Sequence, residues 1–217
     1  NCKIAREAFE ELKAAGAEVT YAIVAAKANV STYYITCDEE LCDKIKEYKK
    51  ENWKLFGSSH SIEVALLQHY DKLNALGEDG HEVLGIASKF KSKNVGKQMA
   101  INNACLTYAQ EAGSYVKGRV VSDLSGDGVL ADKEFDNFYA AYERLVEKEI
   151  KGEMQESYCI IRDLGDGTFE MQIYYIVSEL AASKARIRAL ENAAKESAAA
   201  QVYAKQVADF VREGFAQ

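Results

Sequence analysis

Apolar and polar positions change period several times along this chain, and the changes mark its elements. Ile4, Ala8, Phe9 and Leu12 recur at helical spacing, so residues 3–15 are predicted to be a helix that Gly16 ends. Residues 18–25 and 30–36, rich in Val, Ile, Thr and Tyr, predict two short strands. Asp38 is placed to cap a helix reaching about Lys50, with Leu41, Ile45 and Tyr48 on one face. Ser61 opens another, whose inner stripe is Leu66, His69, Tyr70 and Leu73, and Gly77-Glu-Asp-Gly80 is a turn. A strand follows over 81–91, with Leu84, Ile86 and Phe90 assigned to one face and the small Gly85 and Ala87 to the other.

The second half continues with a long helix from Asn94 to about Val121, whose apolar positions are Met99, Ala104, Leu106, Ala109, Ala112 and Val116. After a loop, a helix from Asp132 to about Lys151 carries a strong stripe: Phe135, Phe138, Tyr139, Tyr142, Leu145 and Val146. Strands at 154–163 and 168–178 flank the hairpin signal Leu164-Gly-Asp-Gly167. In the second strand Phe169, Met171, Ile173, Tyr175 and Val177 face one way, and Glu170 and Gln172 the other. One last helix is predicted over about 179–213, alanine-rich and long enough to pack along a partner helix in this chain or another copy. The expected fold is therefore α+β: an antiparallel sheet with long helices packed on one face, preceded by an N-terminal α/β segment. A single domain over 1–217 is expected, with 1–57 and 58–217 as the one subdivision the pattern suggests.

Composition narrows the partners. Apolar residues are 48% of the 217, charged residues 28%, and the net charge is −7. This balance supports a packed core and gives no broad attraction for nucleic acid. The lysines at 89, 91, 93 and 97 read as a solvated face. No apolar run reaches the 18 or so residues of a membrane-spanning helix. With no proline anywhere, turns must come from Gly, Asn, Asp and Ser. Five cysteines leave at least one unpaired within the monomer. Cys37 and Cys42 allow either a disulfide or two ordinary thiols, and Cys2 raises the question of lipidation.

One segment carries a recognisable chemistry. Residues 123–134 read Asp-Leu-Ser-Gly-Asp-Gly-Val-Leu-Ala-Asp-Lys-Glu. Calcium wants six to eight oxygens, and alternate residues of a tight twelve-residue loop can aim theirs at one centre. Asp123, Ser125 and Asp127 take positions 1, 3 and 5, and Val129 supplies its carbonyl at position 7. Ala131 acts through water at position 9, and Glu134 closes position 12 with a bidentate carboxylate. Gly128 occupies position 6, where the backbone must turn with positive φ. The segment resembles an EF-hand or dockerin-like loop. Ser125 in place of a carboxylate lowers the ligand charge, and a single loop has no partner loop to open against. A structural ion, Ca2+, is therefore expected rather than a sensor.

No catalytic motif of the metalloprotease, hydrolase-elbow, phosphate-loop or dinucleotide type is present, and no enzyme is expected. His69, inside an apolar stripe, is read as a satisfied core residue. The Ser-His pair in Gly57-Ser-Ser-His60 has no acid placed beside it by sequence. Glu153 and Glu156 are read as a solvated strand edge, and the 13 tyrosines with Trp53 as core packing.

Two stretches carry a family resemblance. Glu51-Asn-Trp-Lys-Leu-Phe-Gly57, followed by Leu66, His69 and Tyr70, is similar to the opening of small Bacteroidetes envelope proteins. Gly85-Ile-Ala87, then Lys97-Gln-Met-Ala-Ile-Asn-Asn-Ala104 and Ala109-Gln110, resembles their strand-to-helix core. Those proteins group with the Lpp-twenty-like lipoproteins of Gram-negative bacteria. The resemblance, over roughly residues 45–180, implies a dodecin-like strand-helix-strand-strand core. It also implies an exported protein of the periplasm or outer membrane, and it brings no catalytic residues. The combined expectation is a non-enzymatic envelope protein with a structural calcium loop; the alternative is a calcium-dependent binding or regulatory module. Homo-oligomerisation through the long helices is expected, with the lipid anchor left open.

Overall fold

The computed structural model describes residues 7, 8, 11, 12, 14–16, 47, 48, 50–123 and 133–214. In chain order the elements are β1 (Lys54–Leu55), α1 (Ile62–Leu76), β2 (Gly80–Phe90), α2 (Lys93–Asp123) and α3 (Lys133–Ile150). There follow β3 (Gln155–Asp163), β4 (Phe169–Ser178), α4 (Glu179–Ala193) and α5 (Ala198–Glu213). The expected helix around residues 3–15 is helical where described, and Gly16 sits at φ 67°. The expected strands at 18–25 and 30–36, the Asp38 cap, and Cys2, Cys37 and Cys42 lie outside the described residues.

The strands form one antiparallel sheet in the order β1-β3-β4-β2, so the fold is α+β as the pattern predicts. The β3–β4 turn uses the expected glycines. Gly165 and Gly167 take positive φ, and Asp163 and Asp166 accept hydrogen bonds from the Gly165 and Thr168 amides at 2.8 and 2.9 Å. Strand alternation splits the sheet into two faces. Met171, Ile173, Tyr175 and Val177, with Cys159, Ile161 and Val83, face the long helices and form the larger core. Tyr158, Ile160 and Tyr174 face the opposite way and make a second core with α1 residues Ala65 and Leu66 and with Tyr48 and Trp53. The long helices thus take one face, and α1 covers part of the other.

The helix against the sheet is held close by small residues. The buried positions of α2 are Ala100, Ala104, Cys105, Tyr108, Ala109, Ala112, Val116 and Val120. Met99 and Leu106, expected on this stripe, are 42% and 39% exposed. Alanine lets the helix axis approach β2, whereas either longer side chain would hold it off. The contact is tightest at Gly85, where an added Cβ would lie 2.0 Å from the Ala100 carbonyl oxygen. Phe90 also departs from expectation. It is buried beside Val83 and Ala87, because the β2–β4 register shifts between Ala87 and Phe90 and Lys89 adopts φ 57°. One extra residue moves every later side chain to the other face.

α3 lies antiparallel to α2, as the pairs Asn102–Lys151 and Lys117–Asp136 at opposite ends show. Between them the Tyr139 ring covers Gly113. The expected single C-terminal helix is two. α4 stops at Ala193, and Ser197 begins α5 by accepting from the Ala200 amide at 2.9 Å. Ser197 offers the backbone a cap, which is enough to restart the helix with neither proline nor glycine present. α4 and α5 then fold back on α3, with Tyr203 packed edge-on to Phe135.

Candidate functional site

The loop read as a calcium site connects α2 to α3. Of its five expected ligands, Asp123 is the last residue of α2 and Glu134 lies exposed in the first turn of α3. Ser125, Asp127 and Val129 lie outside the described residues. The first and last residues of the twelve-residue spacing are thus carried by helices on either side of the segment, and residues 124–132 lie outside the described residues. By residue type, Asp123, Ser125, Asp127 and Glu134 bring hard oxygen donors, the kind of donor that suits calcium. Among the described residues no three His, Cys, Asp or Glu side chains converge on a point.

A second constellation is built on the α1 face of the sheet. His69 is fully buried, and both of its ring nitrogens are engaged. Nδ1 lies 3.0 Å from Ser157 Oγ, and Nε2 is bonded to the Glu82 carboxylate. Three elements converge here: His69 comes from α1, Glu82 from β2 and Ser157 from β3. The expectation that His69 is a satisfied core residue holds, but its partners were not foreseen. Glu82 alternates with Leu84 and Ile86, so its face could be read from the strand period. Ser157 could not, because it sits at a register shift: Glu156 pairs with Tyr175 and Tyr158 with Tyr174. A buried polar side chain on an apolar helical stripe was the one available signal that such partners exist.

Around His69 the aromatic rings are ordered. Tyr158 and Tyr174 stack with centroids 4.4 Å apart, and His69 meets them edge-on at 5.2 and 6.0 Å. The Tyr48 hydroxyl donates to Tyr174 at 2.8 Å and lies 3.2 Å from that of Tyr158. Burial pushes the Tyr48, Tyr158 and Tyr174 hydroxyls above the usual phenol range. In the other core, burial carries Tyr108 to about 12, against the pull of Arg186. A phenol whose pKa is raised on folding stabilises the fold fully below the unfolded value near 10, and that contribution is lost as pH rises through the folded value. Tyr108 alone should account for about 2–3 kcal/mol of loss by pH 12. Ultraviolet titration should therefore show exposed tyrosines ionising near pH 10 and the buried ones in a later, steep step that coincides with loss of helical circular dichroism. Ionisation of all 13 together near pH 10, with the fold intact, would contradict this.

The other flagged residues have ordinary partners. Glu153 bonds Arg188 and Glu156 bonds Lys97, so the two carboxylates do not act as a pair. Trp53 is buried and stacks under the Arg162 guanidinium. Lys93 lies over the Phe169 ring. His60 and Ser58 both line a cavity of about 250 Å³ that also reaches Ser157. In the larger core, Arg186 is 2% exposed. It donates to Glu179, to Tyr108 Oη at 2.7 Å and to the Val211 carbonyl at 3.2 Å, while His81 lies 2.6 Å from Glu179. This network ties the start of α4 to α2, α5 and β2. No helix among the described residues is long and apolar enough to cross a membrane. Set against known proteins, the chain matches no family model, no curated protein and no solved structure.

Proposed function

We propose that this chain is a structural protein of the bacterial cell envelope, in the periplasm or at the outer membrane. One calcium ion, held by Asp123, Ser125, Asp127, the Val129 carbonyl and Glu134, fastens the turn between α2 and α3. The observation that carries the calcium reading is the alternation of oxygen-bearing residues over 123–134, in a segment placed between helices α2 and α3. When bound, the ion supplies a hard positive centre that neutralises three carboxylates and joins two helix ends. The envelope setting rests on the resemblance of the Trp53 and Gly85–Ala104 stretches, and it suits a site of modest ligand charge, since extracellular calcium sites work at lower affinity.

A structural role is favoured over a sensor by the packing of the hairpin. A calcium sensor opens its two helices to expose a groove. Here α2 and α3 are in contact at both ends, and the face between them is filled by Gly113 and Tyr139. Self-association belongs to the same reading. Val95, Met99 and Leu106 are exposed along one flank of α2, at spacings of four and seven residues, and this supports a helix-to-helix contact with another copy. Calorimetric titration of the chain with calcium should show one site, and Glu134→Gln should remove it. Absence of binding heat in the unmodified chain, with no competing metal present, would refute the calcium assignment.

A further inference from the structure

The Ser157–His69–Glu82 constellation is not used by the structural reading above, and it has the parts of an acyl-transfer site. Such a site needs a hydroxyl that can be reached, a base bonded to it, a third group that fixes the base, and a dry surround. Ser157 is half-buried and lines the cavity of about 250 Å³, together with Phe56, Gly57, Ser58, His60 and Gln68. His69, 3.0 Å from its hydroxyl, has no exposure to water. The Glu82 carboxylate can only accept while ionised, so the proton of the neutral ring belongs on Nε2, and Nδ1 is left to accept from Ser157. The roles of the two nitrogens are interchanged relative to the familiar serine-protease arrangement, but the chain hydroxyl–imidazole–carboxylate is the same.

The local fold explains how the hydroxyl is aimed. Ser157 is the extra residue where the β3–β4 register shifts, and bulges of this kind turn a side chain out of the strand alternation. The ring is held from all sides. Tyr70 contacts it from its own helix, Tyr158 and Tyr174 lie edge-on from β3 and β4, and Glu82 anchors it from β2. Both nitrogens of a buried histidine need partners, and here the partner of Nδ1 is a hydroxyl on a residue that lines a cavity.

We propose that Ser157 is a nucleophile with His69 as its base and Glu82 as the residue positioning that base, and that the cavity takes small carboxylic esters. Ser157 Oγ attacks the ester carbonyl carbon as its proton passes to His69 Nδ1. The tetrahedral intermediate collapses, the carbon–oxygen bond to the leaving group breaks, and the leaving alcohol takes the proton from Nδ1. Water then attacks the Ser157 ester with His69 again as base, releasing the acid and restoring the serine. Gln68 and His60 are the side chains on the cavity wall that can donate to the developing oxyanion. The volume lies below the usual range for drug-sized ligands, which limits the acyl group to a short one.

The test uses the full chain, a tagged fluorophosphonate and p-nitrophenyl acetate. Peptide mapping should place one equivalent of label on Ser157. Ser157→Ala should lose both label and esterase turnover, and Ser88→Ala, at an exposed serine of β2 outside the cavity lining, should retain them. Glu82→Gln should slow labelling at least about tenfold and displace its pH profile to lower pH, because the imidazolium loses its counter-charge. The ionisable groups facing His69 are Glu82, Tyr70, Tyr158 and Tyr174. A displaced profile is a readout that simple loosening of the fold would not give. Mapping on the unmodified chain decides the matter even if a variant misfolds. No label on Ser157 in the folded protein, or turnover that survives Ser157→Ala, would overturn the proposal.

Discussion

Gly85→Ala is expected to cost more than about 3 kcal/mol, enough to unfold a domain of ordinary stability. The added Cβ would sit 2.0 Å from the Ala100 oxygen and 2.9 Å from both the Ala100 carbonyl carbon and the Ala104 Cβ. Overpacking typically costs about 1–3 kcal/mol when side chains can shift. Here the obstacle is helix backbone, so relief requires α2 to move off the sheet. That movement would loosen Ala100, Ala104 and Tyr108 together, all of them buried against β2 and β4. Gly165→Ala provides the contrast. It has nothing within 4 Å and only its φ of +81° to strain, so it should cost on the order of 1 kcal/mol. Urea unfolding measures both. A Gly85→Ala protein within about 1 kcal/mol of the parent would show that α2 does not seat on β2 as described.

The second large effect is an asymmetry between two partners of one ion pair. Glu179→Ala should destabilise by roughly 3 kcal/mol, because it removes the carboxylate paired with the Arg186 guanidinium, which is 2% exposed. Arg186→Met should cost less, about 1–2 kcal/mol. Glu179 is 23% exposed and keeps His81 at 2.6 Å, so it can be solvated once the arginine is gone. The Met side chain fills the space with apolar volume, and the residual loss comes from the bonds to Tyr108 and Val211. Denaturation of both variants at neutral pH tests the ordering. If Arg186→Met were the worse of the two, packing of the arginine stem would dominate and the buried-charge account would fail.

Much of the fold could be read from periodicity because most elements bury one regular face. The β4 alternation, the α3 stripe and the Gly165–Gly167 turn are of this kind. What escaped the sequence depends on single extra residues and on approach distance. Phe90 and Ser157 lie on their faces because of register shifts, and nothing in the residue order marks where a strand gains one residue. Met99 and Leu106 are as apolar as any core residue, yet the helix turns its alanines to the sheet, since packing against Gly85 selects for small volume rather than hydrophobicity. The break between α4 and α5 was masked by strong helix formers on both sides of Ser197. The candidate sites divide in the same way. The segment proposed to hold calcium is a local motif, so its spacing can be read directly. Ser157 and Glu82 are separated by 88 and 13 positions from His69, and only the fold brings the three together.

Thermal unfolding with EDTA and with millimolar calcium, on the parent chain and on Glu134→Gln, tests the central claim most directly. Binding confined to the native state stabilises it by about 2.7 kcal/mol when calcium is a hundredfold above the dissociation constant. The expected result is a higher midpoint in calcium for the parent and no difference for Glu134→Gln. Equal midpoints for the parent in EDTA and in calcium would contradict the account and reduce residues 123–134 to a connector between two helices.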